Sequence, residues 1–564
     1  MLGYFSIFVI SVFSCLSIFS SGKFFNKVFF NDQKNFFELI IFGIIFLSFL
    51  ALTINFFFSL NPLLNILFII LPILYYLIFE NSSYKDDFIK IFIISILTVI
   101  LISLENTNRP DAGLYHLPFI NILNESNLIV GITNLHFRFG HISILQYISA
   151  IFNNHFFGSN GILIPPSIIF LGLTGYFFQN LIKKKNTDNL IQVLSFIFLS
   201  YCLINMNRYS SWGNDDFASI LFLICIIEAY KLYLNFNLKD LSKLSLFCSF
   251  AFLLKTFFII SFIIPFFILI KYYKKISLSK IINSINIFSF FFICIWLLKN
   301  YLNSSCFLFP IEFTCLYNND WSMTKVAVNN ISNISEAWAK DFPNHDNKNI
   351  GFNNYISDFN WISSWLHNHF IIILKNILIL IPIILILNIF VKIKYSKIQF
   401  NFIKEFLIIL FLLCLIWFLK FPLLRFGEGF LVTLVTLSFL YIKINKINFK
   451  SYKSFEKTFI SILILIIIGK NGYRIVNNYE YLYVDYPWPK KNSYSDTNKL
   501  NEYVGVFKND SIIYYTSKND NNLCMYGKAP CAAIGVNKYF FKNFKMEIHK
   551  DKFLIFDRFM ISNK

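Results

Sequence analysis

Charged residues are scarce in this chain of 564 residues. Asp, Glu, Lys and Arg make up 14% of the sequence, whereas hydrophobic residues make up 56% and aromatic residues 20%. A soluble globular protein carries roughly 25% charged residues, which cover its surface. The apolar runs recur at lengths close to the ~20 residues that cross a hydrocarbon core. The composition therefore excludes a soluble multidomain protein and predicts an all-α polytopic membrane protein.

The sequence also lacks a basic arm or a basic face, although its formal net charge is +19. The lysines fall mainly in short connectors between apolar runs, which is the pattern that sets the orientation of a membrane protein. We therefore predict no nucleic-acid partner and place the basic connectors on the cytoplasmic side. The polar segments 105–161, 300–367 and 476–564 then share the outer side.

The apolar runs predict about 13–14 transmembrane helices. The first run, 2–20, lacks a basic start and a clear cleavage site, so we interpret it as an uncleaved helix rather than a signal peptide. The other runs are 36–59, 62–80, 88–104, 162–182, 189–206, 217–236, 243–255 with 257–271, 279–299, 368–393, 399–420, 424–445 and 457–475. The predicted organisation is helices in 1–104, a first outer segment in 105–161, helices in 162–299, a second outer segment in 300–367, helices in 368–475 and a small mixed α/β extracytoplasmic domain in 476–564.

The cysteines lack metal-binding spacing of the CxxC kind. Six of the ten lie inside apolar runs, where cysteine behaves as a small hydrophobe. The other four form two close pairs in the outer segments, Cys306 with Cys315 and Cys524 with Cys531. An oxidising compartment favours disulfides, and a zinc site that uses all four thiols is the alternative. We favour the disulfides.

The first outer segment contains the ionisable residues Arg109, Asp111, His116, Arg138 and His141. One interpretation is a solvated loop with ordinary charges. The other is an active site at the membrane surface, because ionisable groups at membrane depth are costly and usually functional. Within this segment "HISILQYISAIF" predicts a helix that lies at the surface with its apolar face towards the membrane.

Further charges follow the outer ends of other apolar runs. Asp215 and Asp216 lie in "NRYSSWGNDDF", Lys255 in "FLLKTFF" at the tip of a short hairpin, and Arg425 in "FPLLRFGEGF". The two aspartates have a structural interpretation as residues at a helix N-terminus and a functional one as ligands of Mg²⁺ or Mn²⁺. Carboxylates and several cations at one membrane face suit a substrate with a reacting hydroxyl and a phosphate.

The chain resembles the integral-membrane glycosyltransferases of the GT-C superfamily. An aspartate, Asp111, stands just past a helix end in a long first outer segment, and "AFLLKTFFIISFIIPFFILI" is similar to the recurring "FLTKG…P" hairpin, with Lys255 and Pro265 at the matching positions. Arg425 resembles the arginine of a late outer helix end in bacterial polysaccharide-related membrane proteins. Asp111 has no acidic neighbour, the hairpin has Lys-Thr in place of Lys-Gly, and no WWD motif is present.

The resemblance implies sugar transfer from a polyprenyl-phosphate donor to a glycan, lipid or protein acceptor. It implies an outward-facing site in the bacterial cytoplasmic membrane. A phosphate leaving group requires cations rather than a general acid, which suits Arg138, Lys255 and Arg425. Asp111 is the expected general base, and His116 is the second expected catalytic residue, which either assists Asp111 or binds sugar hydroxyls. The predicted substrate-binding residues are Arg109, Arg138, His141, Lys255 and Arg425.

Two other function classes remain open at this point. A polysaccharide polymerase or ligase would also have a large outer segment. A flippase or transporter of lipid-linked glycans would also have many spans, but it should show buried mid-span charges and Gly- or Pro-broken helices in corresponding halves. The sequence shows few mid-span charges and no internal repeat of that kind.

Overall fold

A computed structural model gives the fold. It describes residues 2–443 except 33, 81–83, 105–110, 183–187, 206–213, 277, 346–349 and 391–395. Beyond residue 443 it describes 465, 469–470, 473, 500–507, 510–517, 524, 526–531, 546–553 and 556–563.

Nine helices in the described part of the chain are long and apolar enough to cross a membrane. They are Phe5–Phe29, Phe36–Ile54, Pro62–Phe79, Gly161–Ile182, Asp215–Leu234, Ser284–Ser304, Trp361–Leu385, Lys397–Lys420 and Leu424–Ile442. The predicted polytopic α-helical membrane architecture is therefore confirmed. The predicted run 457–475 lies almost wholly outside the described residues, so the total of 13–14 helices stays a prediction.

The α-helices are α1 Leu2–Phe29, α2 Phe36–Ile54, α3 Pro62–Phe79, α4 Tyr84–Leu104, α5 Leu117–Glu125, α6 Ile144–Ala150, α7 Ile164–Ile182, α8 Asn189–Asn205, α9 Asn214–Leu234, α10 Leu238–Leu254, α11 Ile263–Lys271, α12 Leu278–Ile281, α13 Ser284–Ser304, α14 Lys325–Ala339, α15 Phe352–Ser357, α16 Trp361–Trp365, α17 Ile371–Leu378, α18 Leu380–Phe390, α19 Lys397–Lys420 and α20 Leu424–Lys443. The strands are β1 Ile129–Val130, β2 Leu500–Phe507, β3 Asp510–Ser517, β4 Met546–Phe553 and β5 Phe556–Asn563.

The span that contains α16 to α18 begins at Trp361, not at residue 368 as predicted. A turn of π-helix, Leu366–Phe370, contains the polar sequence "HNH" and joins α16 to α17. These polar residues lower the local hydropathy, which explains the late predicted start. Trp361 and Trp365 extend the helix because both indole rings pack against Phe418 of α19.

Helices α1 and α2 approach each other closely at two glycines. A Cβ atom at Gly22 would lie 1.8 Å from the carbonyl oxygen of Leu39, and a Cβ atom at Gly43 would lie 1.8 Å from that of Ile18. Small residues allow such backbone contact between membrane helices, which gain little from the hydrophobic effect. The two glycines therefore fix the spacing of the first helix pair.

A buried ionic network joins α2, α9 and α10. The Nζ atom of Lys243 lies 2.8 Å from Glu228 Oε2 and 3.1 Å from Glu38 Oε1, and Lys231 Nζ lies 2.9 Å from Glu228 Oε1. At 1.5 Å per residue, Glu228 lies roughly 20 Å along α9 from Asp215. The network therefore stabilises the end of the helix bundle opposite to the charged residues described below.

Helix α6 of the first outer segment is buried along its whole length. This differs from the expected helix at a membrane surface, which would have one exposed polar face. Protein covers both faces of α6, and polar groups on this helix are hydrogen-bonded within the protein. Gln146, for example, reaches the ring of His116.

The C-terminal part of the chain packs on the same first segment. Strand β5 pairs antiparallel with β4 and parallel with β1, where Ile129 aligns with Phe559. Strands β2 and β3 form an antiparallel pair. The side chain of Asn121 donates a hydrogen bond to the carbonyl of Gly527 at 2.8 Å, and the hydroxyl of Tyr526 donates one to Asn124 Oδ1 at 3.0 Å.

Candidate functional site

The carboxylate of Asp111 lies between two arginines from distant parts of the chain. Arg138 Nη1 lies 3.8 Å from Asp111 Oδ1, and Arg425 Nη1 lies 3.5 Å from Asp111 Oδ2. Partial burial alone would raise the pKa of Asp111, but the two arginines outweigh it and hold that pKa below its ordinary value. Asp111 is therefore ionised at neutral pH and able to accept a proton.

A second ion pair lies beside the first. Lys255 Nζ is 2.8 Å from Asp215 Oδ1, and Arg425 Nε is 3.9 Å from Asp215 Oδ2. Asp215 lies in the first turn of α9, where the helix dipole stabilises a negative charge. Arg425 thus faces both carboxylates. Four separate segments of the chain converge on one charged cluster of five residues: Asp111, Arg138, Asp215, Lys255 and Arg425.

Two tryptophans fix the backbone that leads into Arg425. The indole N–H of Trp365 donates to the carbonyl of Pro422 at 2.6 Å, and that of Trp417 donates to the carbonyl of Leu423 at 2.8 Å. These bonds satisfy two carbonyls of the short connector before α20 and hold its direction. They place Arg425 in the first turn of α20, facing the two carboxylates.

The position of Arg138 depends on a buried histidine. The ring of His136 is fully buried, and its Nδ1 atom accepts a hydrogen bond from the backbone N–H of Arg138 at 3.1 Å. Burial lowers the pKa of His136 to about 3, so the ring stays neutral and keeps this acceptor. The guanidinium of Arg138 lies 5.3 Å from the centre of the Tyr115 ring, a cation–π distance.

The tautomer of His116 follows from its neighbours. Gln146 Oε1 accepts the backbone N–H of Ser143, so the amide nitrogen of Gln146 faces His116 Nδ1 at 3.1 Å. His116 Nδ1 is therefore the acceptor, and its Nε2 atom carries the proton. Burial lowers the pKa of His116 to about 4, so His116 is a neutral hydrogen-bond donor at pH 7 rather than a cation.

Lys255 lies where α10 ends. The backbone leaves the helix in an extended conformation at Lys255 before a turn of 3₁₀-helix, Thr256–Phe262, begins. The hydroxyl of Ser143 donates to the carbonyl of Leu254 at 2.9 Å, which joins the hairpin tip to the first outer segment. The ammonium group of Lys255 lies 4.5 Å from the centre of the Phe426 ring, next to Arg425.

The other predicted site residues lie elsewhere in the structure or outside the described residues. His141 packs against Phe309, and burial lowers its pKa to about 3. Asp216 is buried in the first turn of α9. Arg109 lies outside the described residues. Two disulfides join the four paired cysteines, Cys306 with Cys315 and Cys524 with Cys531.

The described residues contain no group of three or more His, Cys, Asp or Glu side chains that could hold a metal ion. The two carboxylate oxygens of Asp215 face Lys255 and Arg425. A divalent ion at Asp215 and Asp216 would have to compete with these cations. The Mg²⁺ or Mn²⁺ site stays a prediction, and removal of divalent ions with a chelator tests it.

A carboxylate–histidine pair near the cluster is not predicted from the sequence. Asp341 Oδ1 lies 3.2 Å from His369 Nε2, and the side chains of Asn344 and Asn368 donate to the two oxygens of Asp341 at 2.7 and 2.6 Å. The positive charge of Arg425 acts on His369. Asp341 and His369 are far apart in sequence and come from a loop and a predicted helix start, so no local pattern indicates that they meet.

Comparison with protein families gives one match, to a family described as a domain of unknown function (DUF8201), over residues 4–432. The chain belongs to this family. The DUF8201 region contains all five residues of the charged cluster, and strands β2 to β5 lie beyond it. No curated protein and no solved structure matches the chain.

Proposed function

We propose that this DUF8201 protein is a membrane glycosyltransferase of the GT-C type. It transfers a sugar from a polyprenyl-phosphate-linked donor to a glycan, lipid or protein acceptor at the outer face of the bacterial cytoplasmic membrane. The observation that supports it is the meeting of Asp111 with Arg138 and Arg425, next to the pair of Lys255 and Asp215. One carboxylate and several cations are the groups that this reaction requires.

The chemical step follows from these roles. The oxygen of the acceptor hydroxyl attacks the anomeric carbon of the donor sugar, and its proton passes to the carboxylate of Asp111. The bond between the anomeric carbon and the phosphate oxygen breaks, and its electron pair leaves with the polyprenyl phosphate. Arg138 and Arg425 stabilise the charge on that leaving group through charge-assisted hydrogen bonds, and Lys255 adds a third positive charge.

Neutral His116 has a binding role in this proposal. Its Nε2–H donates to a sugar hydroxyl, while Gln146 holds the ring in place. The C-terminal residues 476–564 form a small mixed α/β domain on the outer side that covers the first outer segment. The hydrogen bonds of Asn121 and Asn124 with the disulfide-closed loop at Gly527 and Tyr526 support this placement.

The test is Asp111→Asn, which keeps size and polarity but removes the proton acceptor. Transfer of labelled sugar from a polyprenyl-phosphate donor, or the surface glycan of a strain with this variant, should fall by about two to four orders of magnitude. The matched control is Asp358→Asn, because Asp358 is an exposed aspartate of the second outer segment. Wild-type glycan in the Asp111→Asn strain would remove Asp111 from the proposed site.

A further inference from the structure

The contacts between Asp111 and its two arginines are long. An arginine nitrogen and a carboxylate oxygen normally lie about 2.7–2.9 Å apart when they form a charge-assisted hydrogen bond. The contacts of Arg138 and Arg425 with Asp111 are 3.8 and 3.5 Å, whereas Lys255 and Asp215 lie 2.8 Å apart in the same cluster. Asp111 therefore offsets part of the positive charge of the two guanidinium groups without filling their hydrogen-bonding positions.

One donor of the arginine pair is buried without a partner. Arg425 Nε is buried and forms no hydrogen bond within the described part of the chain, and its contact with Asp215 is 3.9 Å long. A buried donor that is left unpaired costs free energy, which an incoming acceptor would recover. The phosphate of the donor, which is esterified to the prenyl chain and to the sugar, presents two anionic acceptor oxygens and suits a pair of arginine forks.

The exposed fraction of each side chain indicates which carboxylate an anion can displace. The side chains of Asp111, Arg138 and Arg425 are 37, 32 and 36% exposed, but that of Asp215 is 5% exposed. Asp215 also has the short bond to Lys255. Asp111 is therefore the carboxylate that can move from the arginine pair into water at low cost.

We propose that Asp111 competes within the chain for the anion site formed by Arg138 and Arg425, and that the phosphate group of an arriving ligand displaces it. The inference rests on the proposed function, since it concerns the donor phosphate of that site. The charges of the three cations and two carboxylates in the cluster sum to +1. While Asp111 contacts the two arginines, an incoming anion has to compete with its carboxylate for them.

Displacement couples donor binding to the chemical step. Once a phosphate takes the two arginines, Asp111 loses the charges that keep its pKa low and gains a negative neighbour. Its pKa then rises towards the ordinary value of a carboxylate. A stronger proton acceptor is thus produced only when the donor is in place, which limits reaction of the empty site.

The experiment measures anion binding, not sugar transfer, so its failure is separate from failure of the proposed function. Purified full-length protein in detergent is titrated with farnesyl phosphate in one arm and inorganic phosphate in the other, by calorimetry. Asp111→Asn should tighten Kd by about three- to tenfold, because two partly exposed competing contacts are removed. The additional change Arg425→Gln should abolish that gain.

Asp358→Asn removes the same charge at an exposed site of the second outer segment and should leave Kd unchanged. A gain in both arms means that the phosphate group alone is recognised, and a gain only with farnesyl phosphate means that the prenyl chain contributes; both support the proposal. Equal or weaker binding by Asp111→Asn in both arms overturns it. Asp111→Ser provides a second variant should the asparagine variant fail to purify as a folded protein.

Discussion

The pair formed by Lys255 and Asp215 gives the sharpest test of the charged cluster. Its Nζ–Oδ1 distance is 2.8 Å, and the two side chains are 26 and 5% exposed. Removal of one partner from a buried pair costs about 3–5 kcal/mol, because the other charge stays buried. Since water reaches Lys255, we expect Lys255→Met and Asp215→Asn each to lower the free energy of unfolding by roughly 2–3 kcal/mol.

The double variant isolates the interaction itself. Lys255→Met with Asp215→Asn should be less destabilised than the sum of the single variants, with a coupling energy of about 1–3 kcal/mol. Reversible unfolding by SDS in mixed micelles gives the free energies. The chain offers a matched control in Lys325 and Glu312, which lie 2.9 Å apart with Lys325 68% exposed. A coupling at Lys255 and Asp215 no larger than that of the exposed control pair would refute the reasoning.

Three further outcomes are expected from the same unfolding assay or from mass spectrometry. Gly22→Ala should lower the free energy of unfolding by roughly 1–3 kcal/mol, because the new Cβ would press on the backbone of α2. Gly351→Ala should leave it unchanged, because a Cβ there meets no atom within 4 Å. Equal effects of the two changes would contradict the close contact between α1 and α2. The pKa of His136 is lowered from 6.5 to about 3, so its contribution to stability is complete above pH 6.5 and is lost as the pH falls towards 3. His136→Asn should therefore reduce the stability loss between pH 7.5 and 5.5 by about 1.4 kcal/mol, and an unchanged pH profile would count against a buried neutral ring. Non-reduced digests should contain a peptide linked through Cys306 and Cys315, and reduction should cost about 2–3 kcal/mol at most; free thiols at both positions would exclude that bond.

The membrane helices could be predicted because apolar length alone determines them. The helix boundaries mark where charges collect, so Asp111 and Lys255 could be singled out as residues beyond helix ends, and Arg425 as a residue at a helix start. Which cation faces which carboxylate could not be predicted, because that depends on how four distant segments pack. Arg138 shows this best, since nothing in its local sequence indicates that it shares the carboxylate of Asp111 with Arg425 of α20.

The residues that hold the cluster in place were not predicted. His136 and Trp417 act through backbone groups, and a hydrogen bond to a backbone carbonyl or N–H leaves no pattern in the sequence. The buried network of Glu228 and Lys243 was also missed, because each residue alone resembles an ordinary charge near a helix end. Helix α6 was expected at a membrane surface, and only the packed structure shows that both of its faces are covered.

The pairing of β1 with β5 joins residues 129 and 559 of the same chain. During synthesis, the first outer segment therefore remains without its strand partner until β5, Phe556–Asn563, has left the ribosome. Contacts between residues so distant in sequence form late, because closing a long loop costs entropy before the contact repays it. A partly translated chain would already have its first helices in the membrane. Its first outer segment, which contains Asp111, would still lack strand β5. Assembly order thus delays completion of the first outer segment until β5 has been translated.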